Sequence, residues 1–273
     1  MALIFEPNEH KYVSVDTENP INWQSVTSVI SKFKKPFDAD AIAIKSSKNK
    51  KSIWYGMTPD QIKDAWKAES DRAIRLGTWY HHQRESDLLE CDFIERDGFK
   101  LSIVKPLEVS GVKHAPEQKL IDGIYPEHLV YLKSAGICGQ ADRIEVVNGM
   151  VNVYDYKTNK EIKKESYKNW EGMAEMMLDP INHLPDCNFW HYALQLSFYM
   201  YMVIKHNHKL KPGKLRLDHV IFEDDGLDSK GNKIHKLDID GHPIIKDVVR
   251  HDLPYLKSEV ISIINHIKFN EPA

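Results

Sequence analysis

Residues 139–157, GQADRIEVVNGMVNVYDYK, contain the pattern that decides the fold. Asn148-Gly149 stands between two runs rich in valine and isoleucine. This dipeptide is the strongest short signal for a β-hairpin, because both turn positions take positive φ angles. A turn centred there places Asp142 directly opposite Asp155 on the partner strand. Opposed residues have Cβ atoms only about 4.5–5.5 Å apart, so the two carboxylates are expected to share one face.

This carboxylate pair indicates a metal site. Two carboxylates that close repel each other unless a cation lies between them, and their oxygens suit Mg²⁺ or Mn²⁺. Lys157 follows Asp155 by two residues and therefore projects from the same face of the strand. An acid pair with a lysine is what metal-assisted hydrolysis of a phosphodiester needs: the metal activates the attacking water, and the ammonium orients it or stabilises developing charge. The alternative is a surface hairpin with ordinary charged residues.

Two helical segments carry further polar residues. His81 and Glu85 are four residues apart and share a helix face, and the histidine can complete a mixed nitrogen–oxygen site for Mn²⁺. His191, Gln195 and Tyr199 form a polar stripe on an otherwise apolar helix. A buried polar stripe requires partners. The alternative for this helix is a glutamine and a tyrosine that are satisfied within the core.

Together these residues resemble the motif set of the RecB-type branch of the PD-(D/E)XK nuclease superfamily. That branch carries G-x-x-x-H-x-x-x-E, G-x-x-D, D-x-K and Q-x-x-x-Y in this order. The matching positions are Gly77/His81/Glu85, Gly139/Asp142, Asp155/Lys157 and Gln195/Tyr199. The N-terminal hairpin followed by Ser25-Val26-Thr27 also resembles, more weakly, the opening of phage and mitochondrial exonucleases of this branch. The resemblance implies an α/β fold with the restriction-endonuclease-like core, a mixed central β-sheet flanked by helices.

The resemblance also implies roles for individual residues. His81, Asp142, Asp155 and the backbone carbonyl of Tyr156 would ligate one or two Mg²⁺ or Mn²⁺ ions. Lys157 would be the catalytic lysine, acting beside the two aspartates.

Other positions would complete this site. Glu85 would lie in or just behind it, and Gln195 and Tyr199 would line it and position DNA or the lysine. Glu127 is a loose match to an acidic residue that the family places upstream of the first aspartate. Several relatives hold an iron–sulfur cluster through four cysteines, whereas this chain has three without that spacing, so we expect no cluster.

Composition restricts the class of protein. The chain has 273 residues, 42% hydrophobic and 28% charged, with 37 Lys and Arg against 40 Asp and Glu, and a net charge of −3. These values are typical of a globular protein and exclude DNA binding by bulk positive charge, although a local basic groove is compatible with them. The sequence lacks a signal-peptide pattern and a membrane-spanning run, so we expect an intracellular protein, in the bacterial cytoplasm if a phage encodes it.

Basic residues near the proposed site are candidates for phosphate contact. Lysines follow directly after Lys157, where the alternative is a solvated surface. The residues expected to contact DNA are Lys160, Lys163, Lys164 and Arg143.

We expect a single nuclease domain over residues 1–273. It would comprise an N-terminal hairpin and basic helical segment (1–57), a catalytic core (58–222), and a loop with a C-terminal helix (223–273). The pattern predicts helices over 58–77 and 78–90, a loop and helix from 158 to 178, a helix over 189–206 capped by Asp186 or Asn188, a strand over 215–222 and a helix over 244–269.

The expected activity is metal-dependent hydrolysis of DNA, by an exonuclease that acts on ends or single strands in recombination, repair or replication. Possible partners are a recombination protein or a single-strand-binding protein. The alternatives are a scaffold that binds nucleic acid without cutting it, and an endonuclease or RNA-end nuclease of the same fold.

Overall fold

The computed structural model describes residues 3–7, 9, 11–96, 98–116 and 118–270. Its strands are β1 (Leu3–Glu6), β2 (Lys11–Ser14), β3 (Gln24–Ser25), β4 (Phe93–Arg96), β5 (Phe99–Ser102), β6 (Leu107–Val109), β7 (Val112–His114), β8 (Gly123–Leu132), β9 (Ile137–Val147), β10 (Met150–Lys157), β11 (Lys211–Phe222), β12 (Asp224–Leu227), β13 (Lys233–His235) and β14 (Ile245–Leu253). Its helices are α1 (Val26–Ser31), α2 (Ala39–Lys48), α3 (Pro59–Leu89), α4 (Asn188–His206) and α5 (Lys257–Asn270).

Six of these strands form the central sheet. Its order is β14-β11-β10-β9, and both β8 and the short β3 also pair with β9. β10 runs parallel to β11 and β3 runs parallel to β9, whereas the other pairs are antiparallel. The sheet is therefore mixed, which confirms the predicted fold class.

The hairpin predicted from the Asn-Gly dipeptide joins β9 to β10. Asn148 and Gly149 have φ angles of 49° and 74°, the positive pair that a tight hairpin turn of this kind requires. The predicted register holds along the ladder as far as the pair Tyr154 and Arg143. The next position along each strand is one of the two aspartates, so the turn controls where they lie.

The main core lies between the sheet and α4, with α1 and α5 packed against α4. The helix predicted over 189–206 is present, and its apolar residues recur at the spacing that buries one broad side. They are Ala193, Leu194, Leu196, Phe198, Met200, Met202 and Val203. Full burial of a large apolar side chain stabilises the fold by about 1.5–3 kcal/mol. This packing holds α4 firmly over the sheet.

The predicted N-cap of α4 was wrong. Cys187 occupies the cap without a side-chain hydrogen bond. Asp186 instead accepts a hydrogen bond from His191, and the Asn188 side chain binds the backbone of Lys163 and Glu161. Both polar side chains thus attach neighbouring segments to the start of the helix.

The two helices predicted over 58–90 are a single helix, α3. Its start is as predicted, since Thr58 and Gln61 form a reciprocal capping box and Pro59 is the first helical residue. The helix continues through Gly77, because one internal glycine costs only about 1 kcal/mol relative to alanine. A Cβ at Gly77 would lie 3.5 Å from Thr158 Oγ1, so α3 passes close to the end of β10 at this point.

Of the other predicted helices, the one within residues 158–178 is absent, and the one over 244–269 begins only at Lys257. Residues 158–187 form turns and isolated bridges, because the Asn169 side chain bonds its own turn and Pro180 and Pro185 disfavour a helix. Residues 245–253, predicted as the start of the last helix, form strand β14 on the edge of the sheet beside β11. Pro254 separates that strand from α5, since the residue before a proline avoids the helical conformation.

Among the described helices, none is both long enough and apolar enough to cross a membrane. The loop predicted at the start of segment 223–273 contains the β12–β13 hairpin. In the predicted N-terminal hairpin, β1 pairs with β2 as expected, while Asn8 of its turn lies outside the described residues.

Candidate functional site

The two aspartates lie where the β9–β10 ladder ends. Past the pair Tyr154 and Arg143, the Asp142 carboxylate accepts a hydrogen bond from the backbone N–H of Tyr156 at 2.8 Å. At this point the backbone N–H of β10 is therefore bound by a side chain of β9 instead of by its backbone. Asp142 and Asp155 are both buried.

Lys157 and Asp155 form a buried ion pair. Lys157 Nζ lies 2.5 Å from Asp155 Oδ2 and 5.0 Å from the centre of the Tyr192 ring on α4. Burial raises the pKa of Asp155 to about 6, with Lys157 opposing the shift and Asp142 adding to it. Burial alone would lower the pKa of Lys157, but the attraction of Asp155 and Asp142 outweighs it, so the pKa is raised and the amine stays charged.

His81 reaches this cluster from α3. Its Nδ1 lies 3.3 Å from Asp142 Oδ2 and its Nε2 lies 3.1 Å from the carbonyl oxygen of Tyr156. Burial disfavours the charged imidazole, but Asp142 outweighs this effect and the pKa of His81 rises to about 9. The same interaction, opposed by burial, lowers the pKa of Asp142. The charged forms of His81 and Asp142 thus stabilise each other across the gap between α3 and β9.

Glu127 also belongs to the cluster, from the middle of β8. Its φ of 48° is unusual for a residue with a side chain, and the β8–β9 pairing skips Glu127 and Asp142. The Glu127 carboxylate accepts a hydrogen bond from Gln140 Nε2 at 2.6 Å. Burial, followed by the charge of Asp142, raises the pKa of Glu127 to about 8, against the opposing effect of Lys113. Glu127, which matches the family's upstream acidic residue only loosely in sequence, therefore lies beside the carboxylate pair.

Lys113 was missed by the sequence analysis. It comes from β7, where its Nζ lies 2.9 Å from Glu85 and 4.0 Å from Glu127. Glu85 thus joins the edge of the cluster through a lysine. The sequence held no signal for Lys113, since it lies in a segment without clear periodicity. Glu127 did carry one, because it is the single carboxylate in the apolar run Gly123–Leu132.

Gln195 and Tyr199 lie next to each other on α4. Gln195 Nε2 donates a hydrogen bond to the Tyr199 hydroxyl at 3.1 Å. Burial raises the pKa of Tyr199, with smaller contributions from Tyr12, Asp155 and Asp142, so the hydroxyl stays protonated. Tyr199 packs directly on Gly139, where a Cβ would lie only 2.6 Å from the Tyr199 Cε1 atom. Gly139 is therefore required for α4 to approach β9 this closely.

The side chains fit a divalent cation. Among the described His, Cys, Asp and Glu residues, His81, Glu127 and Asp142 each offer one ligand atom, and these atoms all lie within 4.8 Å of one another. Carboxylate oxygens with one imidazole suit Mg²⁺ or Mn²⁺. Asp155 and the Tyr156 carbonyl lie beside this group, engaged by Lys157 and His81, and their roles as ligands stay predictions.

The four residues predicted to contact DNA are placed differently. Lys160, Lys163 and Lys164 lie on the surface segment after β10, where Lys160 pairs with Glu69 and Lys163 with Glu161. Arg143 is largely buried on the opposite side of β9 from Asp142, with its guanidinium 4.1 Å from the centre of the Tyr154 ring. The structure does not bring Arg143 to the carboxylate cluster.

Comparison with known proteins gives one positive finding. No protein of curated function matches the sequence. The family model of the PD-(D/E)XK nuclease superfamily matches residues 43–260, a span that includes α3, β8 to β11 and α4 and so every residue of the cluster. The chain therefore belongs to the PD-(D/E)XK superfamily of metal-dependent nucleases.

Proposed function

We propose that this nuclease is a Mg²⁺- or Mn²⁺-dependent deoxyribonuclease that removes nucleotides from DNA ends or single strands. One observation carries the assignment of the site: His81, Asp142 and Glu127 group around one point, with the Asp155–Lys157 pair beside them. Two buried carboxylates and a third that is only slightly exposed are unfavourable at one place without a cation, and a phosphodiester substrate brings further negative charge. A bound divalent ion would offset both the repulsion among the carboxylates and the charge of the phosphodiester.

The roles of the residues follow from their contacts. Asp142, Glu127 and His81 would hold the ion, with Asp155 and the Tyr156 carbonyl completing its surroundings. When bound, the ion would lower the pKa of the attacking water and stabilise charge on the phosphate.

Lys157 is the proposed catalytic lysine. Asp155 and the Tyr192 ring fix its ammonium in a buried position, so it is oriented before substrate arrives. From there it would orient the water or stabilise the negative charge that develops on the phosphate oxygens. Gln195 and Tyr199 would keep the site's wall against β9 in place, and Lys113 would hold Glu85.

The preference for DNA and for ends is supported by the resemblance of the motif order and of the N-terminal hairpin to phage and mitochondrial exonucleases. On this basis the protein would work in recombination, repair or replication, inside the cell and alongside a recombination or single-strand-binding protein.

A cleavage assay tests the proposal. Linear single-stranded, linear double-stranded and closed circular DNA would each be incubated with Mn²⁺, Mg²⁺ or EDTA, using the wild type and Lys157→Ala. We expect metal-dependent loss of the linear forms only, reduced by about 10²–10⁴-fold in Lys157→Ala, because a positioned proton-transfer or charge-stabilising group contributes that much.

Other outcomes assign the alternatives. Cutting of the circle would show an endonuclease, and cutting of an RNA oligonucleotide alone would replace DNA as the substrate. Retained binding without any cleavage would support the scaffold. Cleavage by Lys157→Ala at the wild-type rate would refute the role assigned to that residue.

A further inference from the structure

The segment that follows β10 contains a small hairpin. Tyr167–Glu175, which we name the tip hairpin, is closed by a bridge between Lys168 and Ala174 and by a hydrogen bond from Glu175 N–H to the Tyr167 carbonyl at 2.8 Å. At its end, the Asn169 side chain accepts hydrogen bonds from Glu171 N–H at 3.0 Å and from Met173 N–H at 2.9 Å. The tip therefore has a defined conformation of its own.

Large apolar side chains on the tip hairpin face solvent. Trp170 is 90% exposed, Tyr167 is 72% exposed and Met173 is 59% exposed. Tryptophan is buried in most folded proteins, and a cluster of exposed aromatic residues marks an interaction site. Holding Trp170 in water on an ordered turn loses the stabilisation that its burial would give. A partner that covers the Trp170 ring would restore that stabilisation.

The segment that leads to the tip hairpin starts at the proposed catalytic site and is fixed to α4. Lys163 N–H donates to the Asn188 side chain at 2.8 Å, and Phe189 N–H donates to the Lys163 carbonyl at 3.2 Å, which fixes the segment to the first turn of α4. One turn further along α4, the Tyr192 ring lies against Lys157 and the Tyr192 hydroxyl donates to Asn159 at 2.8 Å. A strand leaving the site along this segment would meet the tip hairpin.

The charge of the segment fits a polyanion. Residues 157–168, which lead to the rings, contain five lysines and two glutamates, and the tip hairpin adds Glu171 and Glu175. Lys163 and Lys168 are paired with Glu161 and Glu165, but these are exposed pairs, which contribute little and can be exchanged for phosphate. Lysines that lead from a site to exposed aromatic rings are the combination that binds single-stranded nucleic acid, with phosphates on the lysines and bases on the rings.

We propose that the tip hairpin is a single-strand-binding platform, on which Trp170 and Tyr167 stack unpaired bases of DNA that runs to the catalytic cluster. The proposal rests on the proposed function, since it assigns the substrate path of that same site. It predicts tighter binding of single-stranded than of fully paired DNA at this position, because stacking on a ring needs bases that are free of a duplex.

Binding by variants of the tip tests the platform. Fluorescence anisotropy in EDTA, which prevents cleavage, would compare a labelled single-stranded oligonucleotide with a blunt duplex of the same length. Trp170→Ala is expected to weaken single-strand binding by about 5- to 100-fold, and Trp170→Phe to keep most of it, because a phenyl ring still stacks. The matched control is Phe269→Ala on α5, an aromatic residue that is 85% exposed elsewhere on the surface and should change nothing.

The outcomes separate this inference from the proposed function. Unchanged single-strand binding in Trp170→Ala, with a wild type that cuts DNA, would overturn the platform and leave the nuclease. An equal loss for the duplex would also overturn it, because the contact would then not be base stacking. A wild type that neither binds nor cuts DNA would overturn the proposed function itself.

Discussion

On one face of the β9–β10 hairpin, Glu145 is bound by two guanidinium groups: Arg96 Nη1 reaches both carboxylate oxygens, at 2.7 and 2.8 Å, and Arg143 Nε lies at 3.3 Å. On the other face, Asp142 and Asp155 have His81 and Lys157 as their cationic neighbours. Both faces bury acidic residues in the same pair of strands.

The difference lies in the balance of charge. Around Glu145, two guanidinium groups face a single carboxylate, so the protein itself neutralises that charge. The other face gains Glu127 from β8, whose lysine neighbour Lys113 is shared with Glu85, and the pKa of the Glu127 carboxyl rises to about 8 through burial and the charge of Asp142. A buried carboxylate that the protein itself neutralises supports the fold, whereas an excess of buried carboxylates prepares a place for an ion.

Removing the charge of Glu127 should give the largest change in stability. Its folded pKa of about 8 is above the unfolded value, so the stabilisation it gives is complete below about pH 4.5 and is lost as the pH rises through 8. The glutamine of Glu127→Gln cannot ionise, so the variant does not lose this stabilisation as the pH rises. In EDTA, the free energy of unfolding of the variant minus that of the wild type should therefore be about 3–5 kcal/mol larger at pH 9 than at pH 4.5. Urea unfolding at both pH values measures this.

Glu223→Gln, at a partly exposed carboxylate paired with Lys236, is the control and should follow the wild type at both pH values. If the Glu127→Gln curve ran parallel to that of the wild type, the carboxylates would not be in excess on this face, and the contrast between the faces would fail.

On the Glu145 face, neutralising the carboxylate should destabilise the protein instead of stabilising it. Glu145→Gln leaves the buried Arg143 without its charged partner, so we expect a loss of about 2–4 kcal/mol in the free energy of unfolding. Cleavage of DNA at a temperature where the variant is folded should be unchanged. Arg96→Met should cost less, because Glu145 keeps Arg143. A folded Glu145→Gln protein with impaired cleavage would show that this face also takes part in the chemistry.

The sequence predicted the local half of the site. Asn148-Gly149 determines the register of one hairpin, and that register together with the two-residue repeat of a strand is enough to bring Asp142, Asp155 and Lys157 together. The helix α4 was equally accessible, since its apolar spacing is strong over 19 residues. These features depend on neighbours in sequence.

The other half depends on packing between distant segments. Lys113 reaches Glu85 and Glu127 only because β7 lies beside the cluster, and no periodicity marks that arrangement in the sequence. Strand β14 was mistaken for helix because its apolar residues suit either element, and it is the pairing with β11 that selects the strand. The edge of the site and the edge of the sheet were therefore beyond prediction from local pattern.

The smallest expected effect is on the salt dependence of DNA binding, where a surface lysine and Arg143 should differ. All were predicted to contact DNA, but Lys164 is exposed on the segment after β10, whereas Arg143 is buried against Tyr154. Each phosphate contact to a single strand adds about 0.7 to the slope of log K against log salt concentration. Lys164→Ala should therefore lower that slope by about 0.7, while Arg143→Met, assayed where it remains folded, should leave it unchanged. Affinities for a single-stranded oligonucleotide over a salt series measure both. A lower slope in Arg143→Met would mean that the guanidinium leaves Tyr154 and Glu145 to bind phosphate, so that the buried pairing on this face would be exchangeable and not fixed.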